Sequence, residues 1–408
     1  MLRFLTAGES HGQGLIVILD GMPAGLRLDI DQVAAELRRR QGGYGRGRRM
    51  LIESDRAEVV SGVRHGETLG SPIALLIRNK DWENWRQTMS VEAEPAPAAP
   101  AAGGPARPAV TRPRPGHADL AGAVKYDRTD IRDVLERASA RETAARVAAG
   151  SVARQLLAQF GIETANHVVA INGVGLIDPG AVTFEQARAI SPDSPLRCVD
   201  PAIEQHMIAE IDRARDAGDT AGGAFEVIVR GLPAGLGSYV QWDRKLDGRL
   251  AQALMSIPAI KGVGIGLGPL VAALPGSRVH DEILPGSATQ KPTAFGLLRP
   301  TNNAGGLEGG VTNGEELRIT GYMKPLSTLM KPLRSVDLPT MTEALATVER
   351  SDICAVPAAG VVAEAMVCLV VADAFLEKFG GDSVGEIARN VDGYLRHVRQ
   401  RFSKSGPS

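Results

Sequence analysis

The pattern of apolar and polar positions predicts strands and helices that follow one another along the chain. The apolar segment 15–28 contains a glycine-proline interruption, and this pattern predicts a strand, a turn and a second strand. Helical spacing follows in residues 32–40, with Asp29 or Asp31 as the candidate N-cap and Gly42 at the stop. The first fifty residues therefore predict a β-turn-β-helix order.

A short motif in this region occurs a second time. Gly21–Leu26 matches Gly231–Leu236 at five of six positions, at an offset of 210. The second copy also follows an apolar strand pattern, and Asp243 or Asp247 precedes a helical pattern at 250–255 that ends near a proline. This similarity predicts an internal duplication. The alternative is a common turn motif that occurs twice by chance.

Two further apolar patterns predict long helices. The strongest helical spacing runs from Arg141 to Gln159 and stops at Gly161. The most apolar stretch, Val361–Leu376, is too short to span a bilayer and contains Glu364 and Asp373. It predicts a helix buried in the core.

The organisation of the chain follows from these patterns. We expect one domain over residues 1–402 with two related halves, about 1–200 and 201–402. The segment 91–110 is rich in alanine and proline and predicts a mobile surface insertion. Residues 403–408 predict a disordered tail.

The composition is that of a globular enzyme whose excess charge is local. Of 408 residues, 44% are apolar and 23% are charged, with 46 basic and 47 acidic side chains. This balance argues against a general nucleic-acid surface, and no pattern predicts a secretory signal. The three cysteines (Cys198, Cys354 and Cys368) have no metal-binding or redox spacing. We expect a cytoplasmic protein with no membrane span and no metal, and with reduced, mostly buried cysteines.

Positive charge is concentrated between residues 38 and 49. The arginines there are Arg38, Arg39, Arg40, Arg46, Arg48 and Arg49. The first three could complement the dipole at the end of a helix. The other three lie beyond the predicted stop and would repel one another without an anion between them. Because guanidinium groups bind carboxylate and phosphate oxygens in pairs, we favour an anion site.

The start of the helix at 141 has a second candidate anion site. Arg137, Ser139, Arg141 and Thr143 surround backbone N–H groups that a helix N-terminus leaves free. Ser139 with Glu142 three residues later is also a capping box, which needs no ligand. The two interpretations are compatible.

Two histidines are the candidates for proton transfer. His11 lies in Gly-Glu-Ser-His-Gly and His117 in Arg-Pro-Gly-His-Ala-Asp, and a neighbouring glycine in each motif leaves room for a ligand. The glycine-rich segment 301–310 would let a planar ligand lie against the backbone, and the alternative is a flexible hairpin. The glycines at 262–268 do not have the spacing of a dinucleotide-binding motif.

Seven motifs follow one another along nearly the whole chain. They are GESHG (8–12), RRRQGGYGRGRR (38–49), RPGHADL (114–120), RASARETAARVAAG (137–150), NNAGGLEGG (302–310), MKPLST (323–328) and RSDICAVPAAG (350–360). In this order they resemble the motifs of the chorismate synthase family.

The resemblance implies a fold, an assembly and a reaction. The implied fold is α+β, a β-α-β sandwich with two antiparallel sheets packed back to back and helices outside, assembled as a homotetramer. The implied reaction is an anti 1,4-elimination of phosphate from 5-enolpyruvylshikimate 3-phosphate, which gives chorismate in the shikimate pathway. It requires reduced FMN without net redox change.

The resemblance also assigns roles to residues. His11 would protonate the leaving phosphate, His117 would stabilise the reduced flavin, and Asp352 would act as the base. Residues assigned to the substrate or to NADP are Ser10, Arg40 and Arg46. Residues assigned to FMN are Arg137, Ala138, Ser139, Pro258, Ala259, Gly309, Lys324, Pro325, Leu326, Ser327, Thr328 and Arg350.

This chain departs from the family at one motif, where many members have Arg-His-Asp-Pro and it has Arg350-Ser351-Asp352-Ile353. The departure concerns details around Asp352. Whether NADPH serves this protein directly as the reductant of its flavin stays open.

Two rival functions come from other classes. The arginines could suit an RNA-binding or scaffolding protein, but only Tyr44 lies among them as a stacking aromatic. A phosphatase or phosphotransferase could use His11 as a nucleophile. A requirement for flavin separates both rivals from the synthase.

Overall fold

The described residues form two main antiparallel β-sheets, four two-stranded sheets and a layer of helices. The computed structural model describes residues 1–47, 55–92, 107–286, 296–349 and 352–402. The first half contains the strands β1 (Arg3–Gly8), β2 (Gly14–Asp20), β3 (Ala57–Ser61), β4 (Val63–Arg64), β5 (Glu67–Thr68) and β6 (Ile73–Arg78). Its helices are α1 (Ile30–Gln41), α2 (Asp119–Tyr126), α3 (Arg132–Leu135) and α4 (Thr143–Ala158).

The second half begins at β7 and carries more small hairpins. Its strands are β7 (Glu163–Ile171), β8 (Val174–Gly175), β9 (Gly223–Arg230), β10 (Ile260–Ile265), β11 (Leu284–Pro285), β12 (Leu297–Leu298), β13 (Leu307–Glu308), β14 (Val311–Thr312), β15 (Leu317–Met323), β16 (Arg334–Asp337) and β17 (Thr342–Leu345). Its helices are α5 (Phe184–Arg188), α6 (Pro201–Asp216), α7 (Leu246–Met255), α8 (Gly276–Val279), α9 (Val356–Phe379) and α10 (Val384–Phe402).

The two main sheets have the same strand order. The first sheet runs β1-β2-β6-β3, and the second runs β10-β15-β9-β7-β8, so β7, β9, β15 and β10 correspond to β1, β2, β6 and β3. Along the chain, α1 follows β2 and α7 follows β9. Helix α4 comes after β6, the last strand of the first sheet in chain order, and α9 comes after β15, the last strand of the second. The α+β class and the pseudo-duplication are confirmed. Strand β7, which lies in the predicted first half of the chain, belongs to the second sheet.

The repeated motif makes the same hydrogen bonds in both halves. Gly25 N donates to Thr68 O at 2.9 Å, and Gly235 N donates to Thr312 O at 2.8 Å. The hydroxyl of Thr68 donates to the carbonyl of Pro23 at 2.6 Å, and that of Thr312 donates to the carbonyl of Pro233 at 2.7 Å. The sequence match at residues 21–26 and 231–236 therefore reflects one turn structure built twice.

The order of the layers differs from the expectation. Helix α4 packs against β1, β2 and β6, helix α9 packs against β7, β9 and β15, and the two helices pack against each other. The helices therefore lie between the sheets, as the predicted β-α-β sandwich requires. Only the part of the prediction that packed the sheets back to back with helices outside is wrong. The physical reason is that α4 and α9 are buried around most of their circumference and need a covering layer on both sides.

Helix α9 has the length and composition of a membrane span, but it is a core helix here. Among the helices of the described residues, α9 alone is long and apolar enough to cross a membrane, and 89% of its most apolar 18-residue segment is buried inside the fold. The predicted buried helix at 361–376 is confirmed and is longer at both ends. The three cysteines are also buried, as expected.

A glutamate lies in the middle of this apolar helix. Glu364 accepts hydrogen bonds from Arg39 Nη2 at 2.9 Å and from Thr164 Oγ1 at 2.7 Å, and it also contacts Asn166. Arg154 Nη2 lies 3.4 Å from Glu364 Oε1, the oxygen that also accepts from Thr164. Burial by itself would raise the pKa of Glu364, but the two arginines and the two hydrogen bonds outweigh burial and lower it. The network joins α1, α4, β7 and α9.

Several local predictions can be compared directly. Asp29, one of the two predicted candidates, caps α1 by accepting from the backbone N–H groups of Asp31 and Gln32. The second predicted strand of segment 15–28 does not form. In the second copy, α7 begins directly after Lys245, so Asp243 precedes the helix and Asp247 lies in its first turn.

The predicted insertion at 91–110 is partly outside the described residues, at 93–106, as is the predicted tail at 403–408. Of the last four residues of the insertion, 107–109 are exposed, as predicted for a surface segment, and Val110 is buried. Arg107 stacks on Trp85. The mobility of the segment stays a prediction.

The crossing of α4 and α9 generates a stability prediction. A Cβ at Gly150 would come within 2.4 Å of Ala365 Cβ, whereas a Cβ at Gly248 in α7 would meet no atom within 4 Å. We expect Gly150→Ala to lower the free energy of unfolding by about 1–3 kcal/mol because the core is overpacked. The control Gly248→Ala should raise it by up to about 1 kcal/mol through helix propensity. Denaturant titration measures both, and equal effects would contradict the close crossing.

Candidate active site

The first candidate histidine is held by a glutamate far along the chain. The backbone N–H of His11 donates to Glu136 Oε2 at 2.8 Å, and its ring Nδ1 lies 2.8 Å from Oε1. The carbonyl of Glu136 accepts the N–H of Ser10 at 3.0 Å. The Glu136 side chain is 1% exposed. The backbone carbonyl and the carboxylate of Glu136 therefore both fix the loop that carries His11.

An aromatic ring covers one face of the same imidazole. The rings of His11 and Trp85 stack with centroids 3.7 Å apart and planes 17° from parallel. The guanidinium carbon of Arg107 lies 3.7 Å from the Trp85 ring centroid. Trp85 Nε1 donates to Asp81 at 2.9 Å. Glu136 thus occupies one edge of the imidazole and Trp85 covers one face, and the His11 side chain remains 16% exposed.

The loop of His11 also rests on a buried polar chain. Asn79 Nδ2 donates to the carbonyls of Glu9 and Gly12, at 3.1 and 2.8 Å. Arg141 donates to Asn79 Oδ1 through Nε and Nη2 and pairs with Asp55 at 2.5 Å. These three side chains are buried. The turn is therefore rigid before any ligand binds.

The second candidate histidine forms a similar pair. His117 Nδ1 lies 2.5 Å from Asp119 Oδ1, and Arg114 Nε donates to Asp119 Oδ2 at 2.8 Å. Arg114 also donates to Thr328 Oγ1 at 3.0 Å. Burial by itself would raise the pKa of Asp119, but hydrogen bonds from His117 and Arg114 and their charge lower it. The carboxylate therefore stays ionised and fixes the ring.

Two of the segments assigned to FMN lie beside His117. Lys324 Nζ donates to the carbonyl of Gly116 at 2.5 Å, and its backbone N–H donates to Ala259 O at 2.9 Å. Burial, followed by the charge of Lys261, lowers the pKa of Lys324. Segments 258–259 and 324–328 thus meet next to His117, and the neighbouring ammonium groups favour an anion between them.

The predicted base and one predicted substrate arginine form a single ion pair. Arg46 Nη1 lies 2.7 Å from Asp352 Oδ2, and Gly47 N donates to Asp352 Oδ1 at 2.6 Å. The backbone N–H of Ile353 donates to Gly45 O at 2.7 Å. The arginine loop and the C-terminal motif are thereby docked on each other.

A short connection links this ion pair to the His117 cluster. Ala221 N donates to Ile353 O at 2.9 Å, and Thr220 Oγ1 donates to Leu326 O at 2.8 Å. Leu326 lies inside the 324–328 segment. Residues 220–221 therefore hold two of the predicted site regions side by side.

Three helix ends converge on the same region. Arg40, in the last turn of α1, donates to Thr143 Oγ1 at 2.9 Å and to Ala140 O at 2.8 Å, at the start of α4. A Cβ at Gly43 would lie 3.3 Å from Pro357 Cβ, at the start of α9. The N-termini of α4 and α9 both carry partial positive charge, which favours an anionic ligand there.

Residues 137–139 belong to the His11 side of the site. Arg137 donates to the carbonyls of Thr6 and Gly8, each at 3.0 Å, and so holds the end of β1. Ser139 Oγ donates to Ser10 Oγ at 3.2 Å. Ala138 lies between these two anchors. Ser139 caps the short 3-10 turn at 140–142, whereas the carboxylate of Glu142 pairs with Arg146. The expected capping box does not form.

Gly309 lies apart from these contacts. It forms the turn between β13 and β14, where the carbonyl of Gly310 accepts the N–H of Leu246. Within the described ranges, the backbone bonds of this hairpin run to α7 and to residues 235–236, and not to His117. Arg48, Arg49, Arg350 and Ser351 lie outside the described residues.

Sequence reasoning missed the carboxylates that hold the two histidines. Asp119 stands two residues after His117 in the same motif, so its position was a usable signal. Glu136 directly precedes Arg137, but nothing local indicated that it reaches His11. Trp85, Asn79 and Asp55 had no sequence signal, because their contacts with the His11 loop and with Arg141 are long-range.

Comparisons with known proteins bear on what this geometry does. The family model described as chorismate synthase matches residues 2–376. The chain is 56% identical over 400 residues to chorismate synthase of Geobacter metallireducens and 58% identical over 401 residues to that of Moorella thermoacetica. Each alignment covers 98% of this chain and 100% of the relative. A crystal structure of chorismate synthase is similar, with 42% identity, a TM-score of 0.75 and 98% of both chains covered.

The Asp119 cluster predicts a pH-dependent stability difference. Because the pKa of Asp119 is lowered in the fold, its contribution is fully present above the unfolded pKa of about 3.9 and is lost as pH falls through the folded value. We expect Asp119→Asn to cost about 3 kcal/mol of unfolding free energy at pH 7, because a buried pair is broken. That cost should shrink below about pH 4.

Denaturant titrations between pH 3 and 7 measure this difference. The control is Asp216→Asn, which removes an exposed carboxylate beside Arg215 and should change the stability by less than about 0.5 kcal/mol. A cost for Asp119→Asn that does not change with pH would contradict the assignment.

Proposed function

This chain belongs to the chorismate synthase family, and on that premise we propose that it converts 5-enolpyruvylshikimate 3-phosphate into chorismate. In this anti 1,4-elimination the bond from carbon to the phosphate oxygen breaks and a hydrogen leaves C6 as a proton. Chorismate and phosphate together account for all atoms and electrons of the substrate. The observation that carries the proposal is the set of two histidine–carboxylate pairs beside converging helix N-termini.

His11 is proposed to protonate the departing phosphate. Its Nδ1 is held by Glu136, which leaves Nε2 as the nitrogen for a ligand. A charged phosphate monoester is a poor leaving group, and proton transfer to its oxygen lowers that barrier. Ser10 lies beside His11 and would contribute a hydroxyl to the same ligand.

The arginines at the end of α1 are proposed to bind the substrate. A phosphate and two carboxylates give it about three to four negative charges, which Arg40 and Arg46 would partly neutralise. NADPH, as a possible reductant, would use the same cations. Asp352 is proposed as the base, and its ion pair with Arg46 would keep its carboxylate oriented.

The residues present fit FMN as a cofactor. Lys324 and Lys261 suit its phosphate, because their positive charges lie close together, and Ala259 adjoins them. His117, whose ring Asp119 holds in place, would stabilise the negative charge of the reduced ring system. When bound, reduced FMN supplies electron density to the substrate as phosphate leaves and recovers it, without net redox change.

We propose that the protein is cytoplasmic and that it assembles as a homotetramer. The outer face of the first sheet supports an association of copies, because Leu5 is 71% exposed and Ile16 and Ile18 are each 42% exposed. These residues lie on the neighbouring strands β1 and β2. Contiguous apolar side chains of this kind are typical of a surface that another subunit covers.

The function is tested by anaerobic incubation with 5-enolpyruvylshikimate 3-phosphate, with and without chemically reduced FMN. Phosphate release and chorismate absorbance should appear in equal amounts and only with reduced FMN. His11→Ala should lower turnover by about 100-fold or more, the scale of general acid catalysis, while reduced FMN still binds.

Other outcomes point elsewhere. Release of phosphate without chorismate, with or without flavin, would indicate a phosphatase or phosphotransferase that uses the same anion site. Full activity of His11→Ala would remove His11 from the mechanism.

Flavin binding generates a separate prediction. Lys324→Ala should weaken binding of reduced FMN by about 10- to 100-fold, since one charge-assisted hydrogen bond contributes about 1.5–3 kcal/mol. Lys125→Ala, on α2, is the control and should bind reduced FMN as the parent protein does. Anaerobic titration measures both affinities, and equal values would exclude Lys324 from the flavin site.

A further inference from the structure

We propose that Glu136 is a positioning residue that fixes the tautomer and orientation of His11, so that Nε2 is the nitrogen that exchanges its proton with the ligand. The proposal rests on the general-acid role given to His11 above. It adds a residue that acts through the histidine.

The contacts around the carboxylate define the direction of the hydrogen bonds. Glu136 Oε2 accepts the backbone N–H of His11 at 2.8 Å, and Arg132 Nη1 lies 3.6 Å from Oε1. Nδ1 lies 2.8 and 2.9 Å from the two oxygens. An ionised carboxylate only accepts hydrogen bonds. The ring hydrogen on this side must therefore sit on Nδ1.

The backbone makes this arrangement stiff. Glu136 follows α3, and its carbonyl accepts the N–H of Ser10 while its carboxylate binds the next residue, His11. Main chain and side chain of one residue thus hold two consecutive residues of the loop. A shift of the histidine relative to Glu136 would break both contacts together.

The stacked indole removes the remaining freedom of the ring. Trp85 lies 3.7 Å from the imidazole, centroid to centroid. A half-turn of the ring would place a carbon against Glu136 and leave both carboxylate oxygens without the Nδ1 hydrogen. Among the described residues, the hydrogen bonds of His11 involve its backbone N–H and Nδ1 and not Nε2.

This orientation determines what the histidine can transfer. In the protonated ring, the Nε2–H bond breaks, its electron pair stays on nitrogen, and a new O–H bond forms on the leaving phosphate. The neutral ring that remains still donates its Nδ1 hydrogen to Glu136. Its Nε2 carries a lone pair and can take up a proton for the next cycle. In the opposite tautomer Nε2 would already carry a hydrogen and could not take up a proton.

The first test measures the tautomer in the full-length protein. Nitrogen-15 NMR of histidine-labelled protein, with His11 assigned from its absence in His11→Ala, distinguishes the two nitrogens of the neutral ring. We expect the hydrogen on Nδ1 and a bare Nε2. A neutral ring with its hydrogen on Nε2 would overturn the proposal without any activity measurement.

The second test compares variants. In Glu136→Gln the side chain has one accepting oxygen for the two donors of His11, so the tautomer should become mixed. We expect kcat to fall about 100-fold while KM and reduced-FMN affinity stay within about twofold. Glu136→Asp keeps the charge and should recover part of kcat.

The control is Glu226→Gln, which removes a pair of the same kind in the second sheet. Glu226 Oε2 lies 2.9 Å from the ring of the buried His167 and also binds Arg318. This variant should lose stability but keep the His11 tautomer and nearly all of kcat. If Glu136→Gln retains kcat within about threefold of this control, Glu136 has no positioning role.

The two proposals fail in different ways. If the parent protein forms no chorismate, the proposed function fails while the NMR test of the Glu136 contact still stands. If Glu136→Gln does not fold, the tautomer of the parent protein and the kcat of Glu136→Asp decide.

Discussion

The buried charge of Glu364 is the constraint on which the arrangement of layers depends. A carboxylate in the middle of an apolar helix is tolerated only when cations and hydrogen-bond donors surround it. Here the donors come from Arg39 on α1, Arg154 on α4 and the strand β7. Helix α9 can occupy the centre of the fold only in the register that brings these groups to Glu364. The same register sets where α9 begins.

That starting point places the chemistry. The beginning of α9 lies against the loop after α1, and the end of α1 lies against the beginning of α4. Asp352, Arg46 and Ser139 all stand within a few residues of these three helix ends. Positive backbone charge from two helix N-termini therefore adds to that of the arginines. An anionic ligand would be attracted before any side chain moved.

The two histidines are held in comparable ways in different parts of this region. Each has Nδ1 against a buried carboxylate, and each carboxylate has an arginine nearby, Arg132 for Glu136 and Arg114 for Asp119. A carboxylate that is itself fixed selects one orientation of the imidazole. The two pairs differ in sequence separation, because Asp119 is a sequence neighbour of His117 whereas Glu136 is 125 residues from His11.

The sequence by itself determined the features that depend on neighbouring residues. Local pattern predicts the repeated turn at 21–26 and 231–236, the core helix around Glu364 and the motifs of the family. It also limits the cap of α1 to Asp29 or Asp31. Only the tertiary structure decided that the helices lie between the sheets, that Glu136 and Trp85 hold His11, and that Arg46 pairs with Asp352. Those contacts join segments far apart in the chain, and their distances depend on how whole layers pack, which no local pattern encodes.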